Sequence, residues 1–398
     1  MLQAGCISIV GKESKMASRK KKKITKRQQQ KRKLIIFGIE ILCLLVLLGV
    51  LYVWSLWSKI DVDSDFDNSE AGINEDLDEE TVSTLKGYTN IALFGLDNRS
   101  QGQYNRGQSD VIMIASINNA TKEVRLVSVY RDTYLSIGGG KYGKANSAYA
   151  KGGAKQAVQM LNANLDLNIT EYACVDWAAL TEAIDALGGV EIEITAQEAS
   201  QINEYIWEVD QMVGKKSARV SGAGKKLLTG TQATTYARIR KTAGSDFKRT
   251  SRQRIVLEAM LNKAKESDVK TLLNICNAVF DDISTSLTLD EIVALVKDVQ
   301  KYTIGTTTGF PFEMTGGQLA DAGDAVVPIG LEDDVAQLHQ YLFGTEEYQP
   351  SKTVQSISNA IIKKTGITEN TPSYNVDDYN DTAGQSGTVF KDPEDKED

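Results

Sequence analysis

Among the 398 residues, four stand out as a set able to handle phosphate: Asp97, Asp110, and the adjoining pair Arg131 and Asp132. Each borders an apolar run. Asp97 follows NIALFGL (90–96), Asp110 opens DVIMIASI (110–117), and Arg131 follows EVRLVSVY (123–130). If the three runs are strands of an antiparallel meander, the end of the first, the start of the second and the end of the third share one sheet edge. Two carboxylates and a guanidinium group there suit a divalent cation and the phosphates it neutralises, because hard cations take oxygen ligands. An aspartate at a strand end also begins turns, so each one alone has a second, purely structural reading.

A second cluster lies in GTQATTYARIRKTAGSDFKRTSRQRI, beginning at Gly230. Five of the ten arginines beyond residue 57 fall in it: Arg238, Arg240, Arg249, Arg252 and Arg254. On a helix beginning near Thr250, Arg252 and Gln253 continue the face of Arg249, at spacings of three and four. Arg238 and Arg240 share a side only if the chain there is extended. Guanidinium groups so arranged bind phosphate through paired hydrogen bonds. A solvated basic helix face laced with ion pairs is the competing reading. One histidine, His339, and four cysteines leave little from which to build a histidine triad or a zinc site. Cys174 and Cys276 are either two buried thiols or a bridge.

The elements that must position these groups follow from the hydrophobic pattern. The three runs are apolar throughout, as strands covered on both faces are. Helices are expected at 154–165, 177–187, 230–237, 250–265, 269–280 and 289–302, with a further strand, VEIEI, at 190–194. Strands interleaved with helices predict an α/β fold, an α/β sandwich with a mixed central sheet.

Ahead of this unit, residues 34–57 (LIIFGIEILCLLVLLGVLYVWSLW) would span roughly 36 Å as a helix, enough to cross a bilayer. Residues 1–33 carry 12 lysines and arginines against one glutamate, which leaves 33 basic and 52 acidic groups in the remainder. The basic arm predicts a single-pass anchor with its N-terminus in the cytoplasm and everything after residue 57 outside the cell. An acidic body argues against a nucleic-acid partner, and the arm needs only anionic lipid. The expected organisation is a basic arm (1–33), a transmembrane helix (34–57), an acidic stalk (58–85), a catalytic domain (86–345) and an acidic, disordered tail (346–398). The stalk expectation rests on ten aspartates and glutamates within residues 61–80.

In order, NIALFGLDNR, SDVIMIASIN, LVSVYRDTYLSI, KANSAYAKGG, LTEAIDALGGVEIEI, LTGTQATTYARIRK and DFKRTSRQR resemble the LytR-CpsA-Psr family of cell-wall assembly enzymes. The likeness covers about residues 89–257, and more weakly extends to about 344. It implies an α/β/α sandwich with a mixed central sheet and an apolar pocket for a polyprenyl chain. It also implies magnesium- or manganese-assisted transfer of a glycopolymer from polyprenyl diphosphate to a peptidoglycan acceptor.

By motif position, the resemblance gives Asp97 and Asp110 to the metal. Arg131, Arg238, Arg240, Arg249 and Gln253 go to the diphosphate. Asp132 and Asp246 would orient those arginines, with Asp132 the choice should a base be needed. Lys144 and Asn146 fall along the substrate groove, and Arg252 stands beside Gln253. The chain departs from the pattern at Tyr130, where proline is usual before Arg-Asp, at Val111 for threonine, and at Gln108 for an arginine that Arg99 or Arg106 would replace. Other classes consistent with the same residues are a polyprenyl-diphosphate hydrolase, and a non-catalytic glycopolymer-binding or regulatory membrane protein.

Overall fold

The three apolar runs form the expected meander. In a computed structural model of the chain, which describes residues 61–63, 66, 68–96, 107–240, 245–279 and 283–373, every element belongs to one unit, Leu56–Asp398. The arm, the apolar segment 34–57 and residues 374–398 lie outside the described residues. Strands β2 (Tyr88–Leu96), β3 (Ser109–Asn118) and β4 (Glu123–Val129) pair antiparallel, with Ala92 opposite Ile114 and Met113 opposite Ser128. On one side β7 (Glu171–Asp176) runs parallel to β2, β10 (Ile283–Thr285) antiparallel to β7, and β1 (Asp61–Val62) parallel to β10. On the other, β11 (Thr303–Phe310) runs parallel to β4. The seven-stranded mixed sheet therefore has the order β1-β10-β7-β2-β3-β4-β11.

Side chains alternate between its faces, and helices cover both. Ala92, Phe94, Leu96, Ile112 and Ile114 pack against α1 (Glu79–Lys86), α2 (Asn146–Leu165), α9 (Leu331–Phe343) and α10 (Lys352–Thr365). Ile91, Ala115, Ile117, Val124 and Leu126 pack on Leu257 and Leu261 of α6 (Ser245–Lys265) and Leu295 of α8 (Leu289–Lys297). A separate apolar cluster joins α3 (Trp177–Ala186), α4 (Ala196–Val213) and α5 (Gly230–Arg238) to a small hairpin, β8 (Val190–Ile194) with β9 (Gly224–Leu228). VEIEI is thus a strand, but of this hairpin and not of the central sheet. Helix α2 starts earlier than expected, at Asn146, and is kinked where Gly152 and Gly153 leave helical geometry. Its regular part resumes at Ala154, the expected start.

Two domain boundaries move outward. Of the stalk expected at 58–85, residues 68–85 are folded onto the domain: Ala71 and Leu85 are buried, and the Asn74 amide donates to Asp166 at 2.6 Å. The tail expected from 346 contains α10, whose Val354, Ile357 and Ile361 enter the main core. Their spacing of three and four marks one helix face, concealed by the polar residues of KTVQSISNAIIKKT. Cys174 is a buried free thiol that accepts a hydrogen bond from the Tyr149 hydroxyl at 3.2 Å.

His339, on α9, is buried in the core face, stacked on Tyr348 with ring centroids 3.7 Å apart. Its Nε2 lies 3.0 Å from the Leu165 carbonyl. Burial pushes its pKa from the ordinary 6.5 down to about 4. The unfolded chain therefore binds a proton that the folded chain refuses, and stability present above about pH 6.5 is lost as the pH falls toward 4. Urea unfolding of the folded domain should show a decline of about 3 kcal/mol across that window, and His339→Gln should flatten that part of the profile.

Candidate active site

Asp110 owes its position to a β-bulge. Gly95 pairs with Val111 but Leu96 pairs with Ser109, so Asp110 is the extra residue, and its side chain is re-aimed at the sheet end. One strand over, β4 stops at Val129. The Tyr130 N–H then donates to the Phe310 carbonyl at 3.0 Å, a bond that a proline here would lack, and Arg131 turns back toward Asp110. Arg131 Nη1 meets Asp110 Oδ1 at 2.6 Å, while its Nε lies 3.3 Å from Asp132 and 3.4 Å from Asp246. Burial opposes the Arg131 charge, but Asp246, Asp110 and Asp132 outweigh it and raise the pKa. Asp132 is held from its other side by Lys144 Nζ at 3.1 Å, on the hairpin of β5 (Tyr134–Ser136) and β6 (Tyr142–Lys144).

Helix α5 starts at a capping box, Thr229 with Gln232, and ends at Arg238. Ile239, at φ −59° and ψ 125°, has left the helix, the condition under which Arg238 and Arg240 reach one side. Arg240 Nη2 sits 3.3 Å from Asp110 Oδ2, and Arg238 lies 5.8 Å over the Trp177 ring and 3.8 Å from Glu208. Helix α6 begins five residues before the expected Thr250, which places Asp246 in its first turn and Arg249 one turn later. Arg249 Nη2 contacts Asp246 at 3.0 Å and Nη1 stands 3.9 Å from Asp110. The Arg249 side chain is 2% exposed and its Nε has no partner among the described residues. Burial, aided by Arg131 and Arg240 and opposed by Asp246, pushes its pKa down to about 10, so it stays charged at neutral pH.

Two cavities lie side by side here. A polar one of about 310 Å³ is walled by Asp110, Arg238, Arg240, Arg249 and Glu208, among others. An apolar one of about 260 Å³ runs between the sheet and helices α3, α6 and α7 (Val269–Val279), floored by Leu93, Val111 and Met113. Trp177 belongs to both walls. Each volume is near the lower end of small-molecule pockets, roughly 300–1,000 Å³. The Gln253 amide lines the apolar cavity, buried, with neither its nitrogen nor its oxygen bonded among the described residues. Asp176, at the same wall, caps α3 by accepting the Ala179 N–H at 2.8 Å, and burial raises its pKa.

Of the residues expected from sequence, Asp110, Arg131, Asp132, Lys144, Arg238, Arg240, Asp246 and Arg249 form this one cluster. Asn146 touches it through its backbone, its N–H donating to the Arg131 carbonyl at 3.0 Å, while its buried Oδ1 has no bond among the described residues. Arg252 is a correction. It turns away from the cavities, with Nε on Glu198 at 2.8 Å and Nη1 on the Ile239 carbonyl at 3.3 Å, and so ties α6 to α4 and to the end of α5. Its direction follows from an acidic partner, Glu198, on a helix not anticipated in the sequence. Asp97, Arg99 and Arg106 lie outside the described residues, and Gln108 is exposed. Among the described residues, no three His, Cys, Asp or Glu side chains gather as a metal site. Asp110 offers one carboxylate to the polar cavity, an oxygen donor of the kind magnesium takes, and Asp97 directly follows the last residue of β2.

Sequence reasoning missed Trp177 and Glu208. The signals were present: Asp176-Trp177 is a helix N-cap at a strand end, and Thr195-x-x-Glu198 is a capping box that announces α4.

Residues 57–322 match the LytR_cpsA_psr family. The chain is 30% identical over 270 residues, covering 66% of it and 82% of the other chain, to a polyisoprenyl-teichoic acid–peptidoglycan teichoic acid transferase, TagU, of Enterococcus faecalis. Its fold is similar to a crystal structure from Enterococcus faecalis described as a transcriptional regulator, with a TM-score of 0.55 and 24% identity, over 71% of this chain and 97% of that one. It is similar as well to Bacillus subtilis TagV, with a TM-score of 0.50 and 24% identity, over 67% of this chain and 99% of that one.

Breaking the buried Arg252–Glu198 pair leaves an uncompensated carboxylate, so Arg252→Ala should cost about 3–5 kcal/mol in urea unfolding. Arg240→Ala, at a half-exposed side chain, should change stability by less than about 1 kcal/mol.

Proposed function

The chain belongs to the LytR-CpsA-Psr family, and on that premise we propose that it is a membrane-anchored transferase. It moves a glycopolymer from polyprenyl diphosphate to peptidoglycan outside the cell. The observation that carries this reading is the wall that the two cavities share at Trp177. An apolar hollow opens beside a cluster of guanidinium groups, which is the shape and polarity of a lipid tail joined to a diphosphate. The name of the Enterococcus faecalis relative, a transferase acting on polyisoprenyl-linked teichoic acid and peptidoglycan, points to the same pair of substrates.

In this reaction the acceptor hydroxyl attacks the phosphorus that bears the sugar, and polyprenyl phosphate leaves. Phosphoryl transfer depends chiefly on positioning and on charge neutralisation. Arg240 and Arg249 hold the diphosphate oxygens across the mouth of the polar cavity, with Arg238 on its far wall. Arg131 is oriented by Asp132 and Asp246, so its remaining N–H groups point where charge develops. Lys144 fixes Asp132. Gln253 offers a side-chain amide to the apolar cavity, positioned where lipid meets phosphate. Asp110 and Asp97 suit a magnesium ion, which would neutralise diphosphate charge when bound.

Strand β1 starts at the end of the sheet that holds the site, because it runs parallel to β10 and β10 runs against β7. The apolar run 34–57 ends just before it in sequence. That order supports a lipid-borne substrate, and with it an anchor and an extracytoplasmic domain.

The test is transfer by the purified full chain from a synthetic polyprenyl diphosphate saccharide to uncross-linked peptidoglycan. Arg131→Ala should lower kcat by about 10²–10³-fold, the usual cost of losing one donor to a developing charge. Release of saccharide phosphate at the same rate without acceptor would instead identify a hydrolase. Chelation with EDTA should slow transfer, with activity returning on added magnesium.

A further inference from the structure

We propose that Glu208 receives the acceptor: its carboxylate binds the incoming sugar hydroxyl and takes its proton, an assignment that rests on the transferase reading above. Four carboxylates stand among the arginines, and three are already committed. Asp110 is shared by Arg131 at 2.6 Å and Arg240 at 3.3 Å. Asp132 lies between Arg131 and Lys144, and Asp246 between Arg131 and Arg249. Glu208 differs. It walls the polar cavity, its side chain is 39% exposed, and its nearest cation, Arg238, is 3.8 Å away, beyond hydrogen-bond reach. Among the described residues it makes no hydrogen bond, so its lone pairs are open to an O–H donor.

The carboxylate is nonetheless well placed. Helix α4 starts at the Thr195–Glu198 capping box, is pinned there to Arg252, and buries Ile202, Ile206 and Val209. Val209, next to Glu208, also walls the polar cavity. Glu208 therefore approaches from α4 while the metal-type carboxylate, Asp110, approaches from β3. A loose, half-exposed ion pair adds little to stability, so the fold has small need of a glutamate there.

The step balances without any further reactant. The acceptor oxygen forms its bond to the sugar-bearing phosphorus as its O–H bond breaks, and the proton passes to Glu208. The bridging P–O bond breaks, and its electron pair leaves on polyprenyl phosphate. Glu208 then gives the proton to water through its exposed edge. A diphosphate that draws Arg238 toward itself would also free Glu208 for this role.

The experiment uses the full chain in detergent, the synthetic polyprenyl diphosphate saccharide as donor and uncross-linked peptidoglycan as acceptor. Glu208→Gln should lower kcat by at least about 30-fold with the donor KM within about twofold of wild type, in line with general-base catalysis. Glu208→Ala should regain part of the loss on addition of formate, which a merely structural role would not give. Wild-type kcat in Glu208→Gln, or a loss confined to donor KM, overturns the assignment. If the alanine variant does not fold, the glutamine variant decides alone. Arg131→Ala, run in parallel, separates the two claims. An inactive Arg131→Ala beside a fully active Glu208→Gln defeats Glu208 only, whereas a wild-type chain that transfers nothing defeats the transferase reading and this role with it.

Discussion

Three guanidinium groups, those of Arg131, Arg240 and Arg249, converge on the single carboxylate of Asp110, and the rest of the structure is arranged around that imbalance. Like charges this close repel, and Arg249 shows the strain most plainly: burial, and then the nearness of Arg131 and Arg240, loosen its hold on the proton. Asp132 and Asp246 relieve part of the excess, but each already serves Arg131. A bound diphosphate would supply the missing negative charge at oxygen atoms that match the guanidinium fork. The cluster is thus prepared for its ligand before the ligand arrives, which is what charge stabilisation in catalysis requires.

The apolar cavity depends on equally local features. Gly95 lies in its floor, and any side chain there would press on Val111, with an added Cβ only 2.7 Å from Val111 Cγ2. A larger residue would push Val111 into the hollow. At the other wall Trp177 divides the lipid-like space from the phosphate-like space, and Arg238 covers its ring. Arg252, Glu198 and the Ile239 carbonyl lock α4, α5 and α6 together, and this determines where Arg240, Arg249 and Glu208 stand.

On the opposite face of the sheet the polar groups have a different purpose. Asp166, in the left-handed region at φ 52°, accepts bonds from Asn74, Tyr348 and the Ser351 N–H, and it joins the segment leading into α1 to α2 and α10. His339 lies beside this network, neutral and stacked. The one histidine of the chain is therefore part of the scaffold.

The sequence alone was enough to locate the meander and most of the residues that cluster at its end. Apolar runs bounded by Asp97, Asp110 and Arg131 imply strands covered on both faces, and antiparallel pairing brings their ends together because neighbouring strands reverse direction. Period and capping are local properties, legible without a partner. The direction of Arg252, the packing of residues 68–86 and 352–365, and the place of VEIEI in a side hairpin were not legible. Each is decided by what lies across the core: Glu198 on α4, Asp166 at the end of α2, and β9 beside β8. The wall that two cavities share at Trp177 is of the same kind. A hollow is defined by the elements that fail to touch, and only the packed tertiary structure determines which those are.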